Sequence, residues 1–177
     1  MEYDGNDNLI KTTTPDGFST MMTYDHNGQI LTQTDKRGSV TVNTYDKLGQ
    51  LIQTTSPEGV QYTYGYNKQG LQSYVKDALG NVASYEYDAM GNMISQTDPT
   101  GAKITYEYNK QNLIVKETNP EGAVTRYEYD TMTNLLSVTY DNGTKESHAY
   151  DAADRVIKST SVYGIVTDSN EVSTRYG

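Results

Sequence analysis

The sequence predicts an all-β protein: tandem 21-residue β-hairpin repeats forming a curved or spiralling antiparallel sheet. Three observations predict it. Tyr recurs at a fixed interval of 21 residues, at Tyr3, Tyr24, Tyr45, Tyr66, Tyr87, Tyr108, Tyr129 and Tyr150. A Gly follows each of them by fourteen residues, at Gly17, Gly38, Gly59, Gly80, Gly101, Gly122, Gly143 and Gly164. Between these marks the chain alternates with period two, and no segment sustains a 3.6-residue apolar period bounded by helix caps. A fixed period of this length is the signature of a repeat architecture.

Each part of the unit has a physical reading. The residue after the Tyr is acidic or its amide (Asp4, Asp25, Asp46, Asn67, Asp88, Asn109, Asp130, Asp151). Four residues after the Tyr comes Gly28, Gly49, Gly70 or Gly91, and elsewhere Asp7, Asn112, Thr133 or Asp154. Asp and Asn tolerate a left-handed backbone best after Gly, so Tyr-Asp-x-x-Gly reads as a turn. Apolar pairs follow, as in Leu9-Ile10, Ile30-Leu31, Leu51-Ile52, Met93-Ile94, Leu135-Leu136 and Val156-Ile157, and then Thr in seven of the eight units, with Lys76 the exception. β-branched Thr favours a strand. A second turn is marked by Thr14-Pro15-Asp16-Gly17, Ser56-Pro57-Glu58-Gly59, Asp98-Pro99-Thr100-Gly101 and Asn119-Pro120-Glu121-Gly122, with Asn142-Gly143 a hairpin dipeptide.

The second strand closes the unit. Ile104, Tyr106 and Tyr108 share one parity, and Lys103, Thr105 and Glu107 the other. Period two puts aromatic rings on one face and polar groups on the other. Tyr-x-Tyr recurs at Tyr64/Tyr66, Tyr85/Tyr87, Tyr106/Tyr108 and Tyr127/Tyr129. Eight hairpins give about sixteen strands, and at about 4.8 Å per strand the sheet would span about 77 Å. A sheet so wide should twist and curl. The Tyr hydroxyls need water or a partner, which lets an aromatic layer sit against a polar neighbour.

Eight repeats, with units starting at the eight Tyr above, therefore fill residues 3–164. After Gly164 the pattern breaks. Thr174-Arg175-Tyr176 matches Thr125-Arg126-Tyr127 displaced by seven residues, so Asp168 to Val172 read as part of an inserted loop. Residues 165–177 are expected to hold that loop and an incomplete last strand. The frayed ends predict a window of a longer array, in which Met1 is an added start.

Composition narrows the function. The chain has 177 residues, 34% of them hydrophobic, with 17 Tyr, one Phe, no Trp and no Cys. Mean hydropathy is -0.75 and the pI about 4.6. By itself this leaves an unusual β-protein or a disordered polar chain; the register of Tyr and Gly decides for the first. No apolar run approaches the roughly 18 residues of a membrane helix, and the N-terminus lacks the pattern of a signal peptide. A net charge of -9 argues against nucleic acid. Without Cys there is no disulfide framework, thiolate metal site or Cys nucleophile.

The repeat of Tyr-Asp-x-x-Gly, apolar pair, Asp-Pro-x-Gly and Thr-x-Tyr-x-Tyr-Asp resembles the YD repeats of RHS and YD-repeat proteins. Tyr87-Asp88-Ala89-Met90-Gly91-Asn92-Met93-Ile94 and Asp98-Pro99-Thr100-Gly101-Ala102 carry it most clearly. That family includes bacterial polymorphic toxins, wall-associated proteins, insecticidal toxin complexes and animal teneurins. The resemblance implies a fragment of a hollow YD-repeat β-shell that, in bacterial members, encloses a toxic C-terminal domain. It implies a secreted or cell-surface protein. The partners it implies are neighbouring repeats, an enclosed toxin polypeptide and, in an older family suggestion, carbohydrate. Bacterial shells close with an Asp-Pro-x-Gly-Leu element and autoproteolytic aspartates. Here Ala102 replaces the Leu and the element sits within the array, so no cleavage residues are carried over.

No catalytic, cofactor or metal residues are expected. His26 and His148 stand apart in the repeat register and read as structural, since a site needs a convergent constellation. Asp4-Gly5-Asn6-Asp7-Asn8 lacks the Gly and Glu of a calcium loop, with Leu9 and Pro15 in their places. Asn142-Gly143-Thr144 is a glycosylation sequon by letters and a turn by context. The row of Asp and Asn after each Tyr could gather cations, but turn capping accounts for it better, because Asn67 and Asn109 substitute freely. The Tyr parity shared with Ile104 predicts a buried aromatic layer; an exposed ladder that stacks sugar rings is the alternative. The expected function is a non-catalytic structural segment of a β-shell that encapsulates or presents a toxin or effector. The alternative is a surface module for carbohydrate or a protein partner. Open strand edges predict edge-to-edge self-association.

Overall fold

The computed structural model describes residues 1–163. The expectations for Gly164, for the loop from Asp168 to Val172 and for the final strand lie outside the described residues. Within them the chain is all-β, and sixteen strands follow one another in a single antiparallel sheet in sequence order. They are β1 (Glu2–Tyr3), β2 (Leu9–Thr13), β3 (Ser19–Tyr24), β4 (Ile30–Thr34), β5 (Val40–Tyr45), β6 (Leu51–Thr55), β7 (Gln61–Tyr66) and β8 (Gln72–Lys76). Then come β9 (Val82–Tyr87), β10 (Met93–Thr97), β11 (Lys103–Tyr108), β12 (Ile114–Thr118), β13 (Val124–Tyr129), β14 (Leu135–Thr139), β15 (Lys145–Tyr150) and β16 (Val156–Val162). Among the described residues there is no helix. The chain divides into two compact units, Met1–Ser84 and Tyr85–Gly177.

All the turns are of one kind. In the first, the Asp7 amide donates to the Asp4 carbonyl at 3.2 Å and the Asp4 amide to the Asn8 carbonyl at 2.9 Å. The Pro turns repeat this, with Gly17 donating to Thr14 and Thr14 to Phe18 at 2.9 Å each. Two residues turn and a third, at positive φ, closes the loop, as in the common three-residue hairpin loop. That third residue is a Gly in most turns, but Asp7, Asn112, Thr133 and Asp154 hold it at φ of 57 to 72°. Asn142 is absent from the positive-φ residues while Gly143 lies at 80°. The Asn-Gly pair thus forms the same loop as its neighbours and not a two-residue turn with both residues left-handed.

Wherever the pairing across a Tyr-Asp turn is resolved, it carries a β-bulge. Glu107 faces Lys116 but Tyr108 faces Ile114, which leaves Val115 as the extra residue. Leu31, Ile52 and Leu136 hold the equivalent place. Wherever an apolar pair has a resolved pairing, its second member is therefore the bulge. One extra residue also flips the parity of the strand that follows. Ile114 joins the face of Tyr108, while Lys116 joins that of Glu107.

The sheet has almost no interior. Among the described residues Val138 is the only buried hydrophobic side chain. The expected buried aromatic layer is corrected on this point. The strand tyrosines from Tyr85 to Tyr150 are half-buried, and Tyr3 and Tyr62 are exposed at 55% and 42%. The cause is geometric: each ring is covered by its neighbours along one sheet face, and no second layer lies on it in either unit.

Candidate functional site

The signature residues fall into two structural roles. The eight Asp or Asn after the Tyr cap their own turns. The Oδ1 of Asp88 accepts the Met90 and Asn92 amides at 2.8 and 2.9 Å, and its Oδ2 accepts the Asn92 side-chain amide at 2.9 Å. Asp130 repeats this with Met132 and Asn134, while Asn67 and Asn109 supply the same Oδ1 contacts without a charge. The hydrogen bonds from Asn92 and Asn134 hold the carboxyls of Asp88 and Asp130 below the usual range. At Asp4, Asp88, Asp130 and Asp151 both carboxylate oxygens are thus engaged within the turns. No cluster of three or more His, Asp or Glu that could hold a metal occurs among the described residues.

The repeating Tyr clamps adjacent strands. Tyr24, Tyr45, Tyr66, Tyr108 and Tyr150 each donate their hydroxyl to the backbone carbonyl fifteen residues earlier, on Leu9, Ile30, Leu51, Met93 and Leu135, at 2.7 to 3.0 Å. Leu9 and Leu135 each adjoin a bulge. The hydroxyl thus satisfies a carbonyl where the ladder is irregular, which Phe could not do. His26 lies in an exposed turn, and His148 Nδ1 sits 3.0 Å from Ser159 Oγ. The structure does not bring the two histidines together.

Charge is divided unequally between the two faces. In the second unit Lys103, Lys116, Arg126, Lys145 and Lys158 pair directly with Thr97, Glu107, Lys116, Thr139 and Ala149, on the face away from the YD tyrosines. The described strand glutamates there, Glu86, Glu107 and Glu128, are all neutralised. Lys116 Nζ meets Glu107 at 2.6 Å, while Lys103 and Lys145 reach across an intervening strand to Glu86 and Glu128 at 3.1 and 3.2 Å. Ser95 and Ser137 donate to the same Glu86 and Glu128 at 2.5 and 2.6 Å. Both serines are only 3% exposed, lying between the carboxylate and the lysine. These bonds, with Ser first and Lys second, hold both carboxyls below the usual range.

Among the described residues, the Tyr face of the same unit carries two strand carboxylates and no strand Lys or Arg. Glu117 faces Tyr106 and Thr125, Tyr127 faces Val138, and Val138 faces Glu146. The result is a band of Glu117, Tyr127, Val138 and Glu146 across four strands. Tyr127 Oη lies 3.5 Å from Glu117, and Tyr140 Oη 3.4 Å from Glu146. Burial first, and then the carboxylate, raises the phenol of Tyr127, as Tyr140 is raised beside Glu146. A shallow groove borders the band, lined by Glu117, Asn119, Thr125, Tyr140, Asp141 and Asn142. Sequence reasoning missed this band. The signal was present in the parity of Lys and Glu along β11 to β15, but the bulges hide it from a simple period-two count.

The RHS repeat family matches residues 3–41, 45–73, 66–103, 91–124 and 108–145. No curated protein matches the chain significantly. Among solved structures, the chain is similar to the crystal structure of TcdB2-TccC3-Cdc42, with 18% identity and a TM-score of 0.67 over 91% of this chain and 10% of that one. TcdB2-TccC3 without its hypervariable C-terminal region gives the same values. TcdB2-TccC3 matches with a TM-score of 0.64, 18% identity, 91% of this chain and 11% of that one. The chain thus spans about a tenth of the length of those chains. The likeness is one of fold.

Proposed function

The chain belongs to the RHS repeat family, and from that premise we propose that it is a non-catalytic structural segment of a β-shell that encloses or presents a toxin or effector polypeptide. One observation carries the reading: the same turn and pairing recur from Glu2 to Val162 while polar groups are spent on caps, clamps and staples. One hydroxyl lies beside an imidazole, Ser159 Oγ at 3.0 Å from His148 Nδ1, on the exposed pairing of β15 with β16. The parent is placed outside the cell or on its surface, with the neighbouring repeats as the first partners. Protease protection tests the proposal in the full-length protein. The polypeptide that follows the repeats should survive digestion that removes it once the repeat array is deleted. Equal digestion with and without the array would overturn the enclosure.

A second reading is recognition of glycans. The groove at Tyr140, Asn119 and Asn142 favours it, since it offers an aromatic ring beside planar amides. Saturable binding on a glycan array, lost in Tyr140→Ala, would support it; a blank array would remove it. Self-association belongs to the main proposal. β16, the longest of the described strands, exposes Val156 at 55% and Ile157 at 64%, apolar surface that another copy could cover. Sedimentation that stays monomeric at high concentration would count against it.

A further inference from the structure

We propose that the Tyr face is the side of the sheet turned toward the enclosed polypeptide, and that in the second unit it binds a segment bearing Lys or Arg. This rests on the enclosure proposed above and names the chemistry of what is enclosed.

The argument begins with unequal neutralisation. On the opposite face Glu86, Glu107 and Glu128 each meet a lysine within 3.2 Å. That face is satisfied internally. On the Tyr face Glu117 and Glu146 form no ion pair among the described residues, and they accept only long hydrogen bonds from Tyr127 and Tyr140. All five described strand cations of the unit stand on the other side of the sheet, as do Lys11 and Lys76 of the first unit relative to Tyr24 and Tyr64. The negative charge of Glu117 and Glu146 is therefore left for a partner. The rings between them add to it, because a cation over a Tyr face is attracted by the ring's quadrupole.

The spacing fits an extended chain. Glu117 lies on β12 and Glu146 on β15, three strands apart and offset by the two-residue step from Thr125 to Tyr127 along β13, or about 16 Å at about 4.8 Å per strand and about 3.4 Å per residue. Residues i and i+4 of an extended segment are about 14 Å apart at about 3.4 Å per residue, and long Lys or Arg side chains span the difference. A segment crossing the strands could place cations on both carboxylates and an apolar side chain over Val138 and Tyr127. An anionic segment would meet two uncompensated carboxylates in the same place.

The probe is a fluorescein-labelled peptide with Lys at every fourth position among Leu, Gly and Ser, followed by anisotropy against the 177-residue chain. A matched peptide with Glu for Lys is the control. The Lys peptide should bind and the Glu peptide should not. Glu117→Gln with Glu146→Gln should weaken the Lys peptide about tenfold, as expected for two partly exposed pairs of up to about 1 kcal/mol each, and should flatten its salt dependence. Glu107→Gln with Glu128→Gln, on the opposite face, should leave binding unchanged. Far-UV circular dichroism confirms that each variant keeps its sheet. Equal binding of both peptides, no loss in the Tyr-face variant, or an equal loss in the opposite-face variant each overturns the proposal. Protease protection of the parent is a separate readout. If it persists while the Lys peptide fails to bind, enclosure stands and the charge preference falls.

Discussion

The ring of Tyr74 lies on the backbone of Gly65. A Cβ added at Gly65 would come within 1.9 Å of Tyr74 Cε1, and the two residues face each other directly across β7 and β8. In other units the equivalent pairs are Glu86 with Ser95, Glu107 with Lys116 and Glu128 with Ser137. Gly65 and Tyr74 depart from that pattern together. A large ring covers the strand position that lacks a side chain, which offsets the weakness of Gly in a strand.

The pair should therefore behave as a unit. Gly65→Glu alone should lower stability by about 1–3 kcal/mol, because the ring must leave its seat. Gly65→Glu with Tyr74→Ser should recover most of that loss by installing the pair found at Glu86 and Ser95. Urea melts of the four proteins give the coupling. Additive losses would show that the two positions are independent.

Thr133 sits at φ 72°, where Gly91 of the preceding unit but one has 89°. A β-branched residue is strained in this region by about 1–3 kcal/mol. Thr133→Gly should raise the melting temperature by a few degrees, on the scale of about 2–4 °C per kcal/mol for a chain of this size. A lower melting temperature would refute the strain.

Tyr108→Phe removes the hydroxyl that donates to the Met93 carbonyl at 2.7 Å. The ring and its packing remain. The expected loss is about 0.5–1.5 kcal/mol, the usual net value of such a bond. Equal stability in a urea melt would mean that water replaces the clamp at no cost.

Stability should fall at both ends of the pH scale. The carboxyls of Asp88, Asp130, Glu86 and Glu128 are depressed in the folded chain by hydrogen bonds, with Lys103 and Lys145 adding to the two glutamates. Their contribution is present above the ordinary carboxylate pKa and is lost as pH falls through the folded values. Tyr106, Tyr108 and Tyr127 are raised, mainly by burial. Their contribution is present below the ordinary phenol pKa and is lost as pH rises through the folded values. Thermal melts from pH 2 to 11 should show a plateau between. Glu86→Gln should lessen the acid slope and leave the alkaline limb alone; an unchanged acid slope would contradict the staple.

Much of the fold is legible from particular residues. Tyr87, Asp88 and Gly91 mark one turn, Pro99 and Gly101 the other, and the parity of Tyr106 and Tyr108 marks the face between them. The bulge at Val115 is not legible, because an apolar pair reads equally well as the start of an unbroken strand. The band of Glu117, Tyr127, Val138 and Glu146 is hidden for the same reason, since its members come together only after the bulges shift the parity.

The sequence by itself determined the period, the turns and the strand order, because these depend on residues at most a few positions apart. Backbone preference at Gly101 or Pro99 is local physics. The tertiary structure alone decided which groups meet across strands. Tyr150 finds the Leu135 carbonyl, Ser137 lies beneath the Glu128–Lys145 bridge, and Glu117 and Glu146 meet no cation among the described residues. These outcomes depend on register between strands. A single extra residue in each pairing across a Tyr-Asp turn sets that register, and nothing in the local chain announces it.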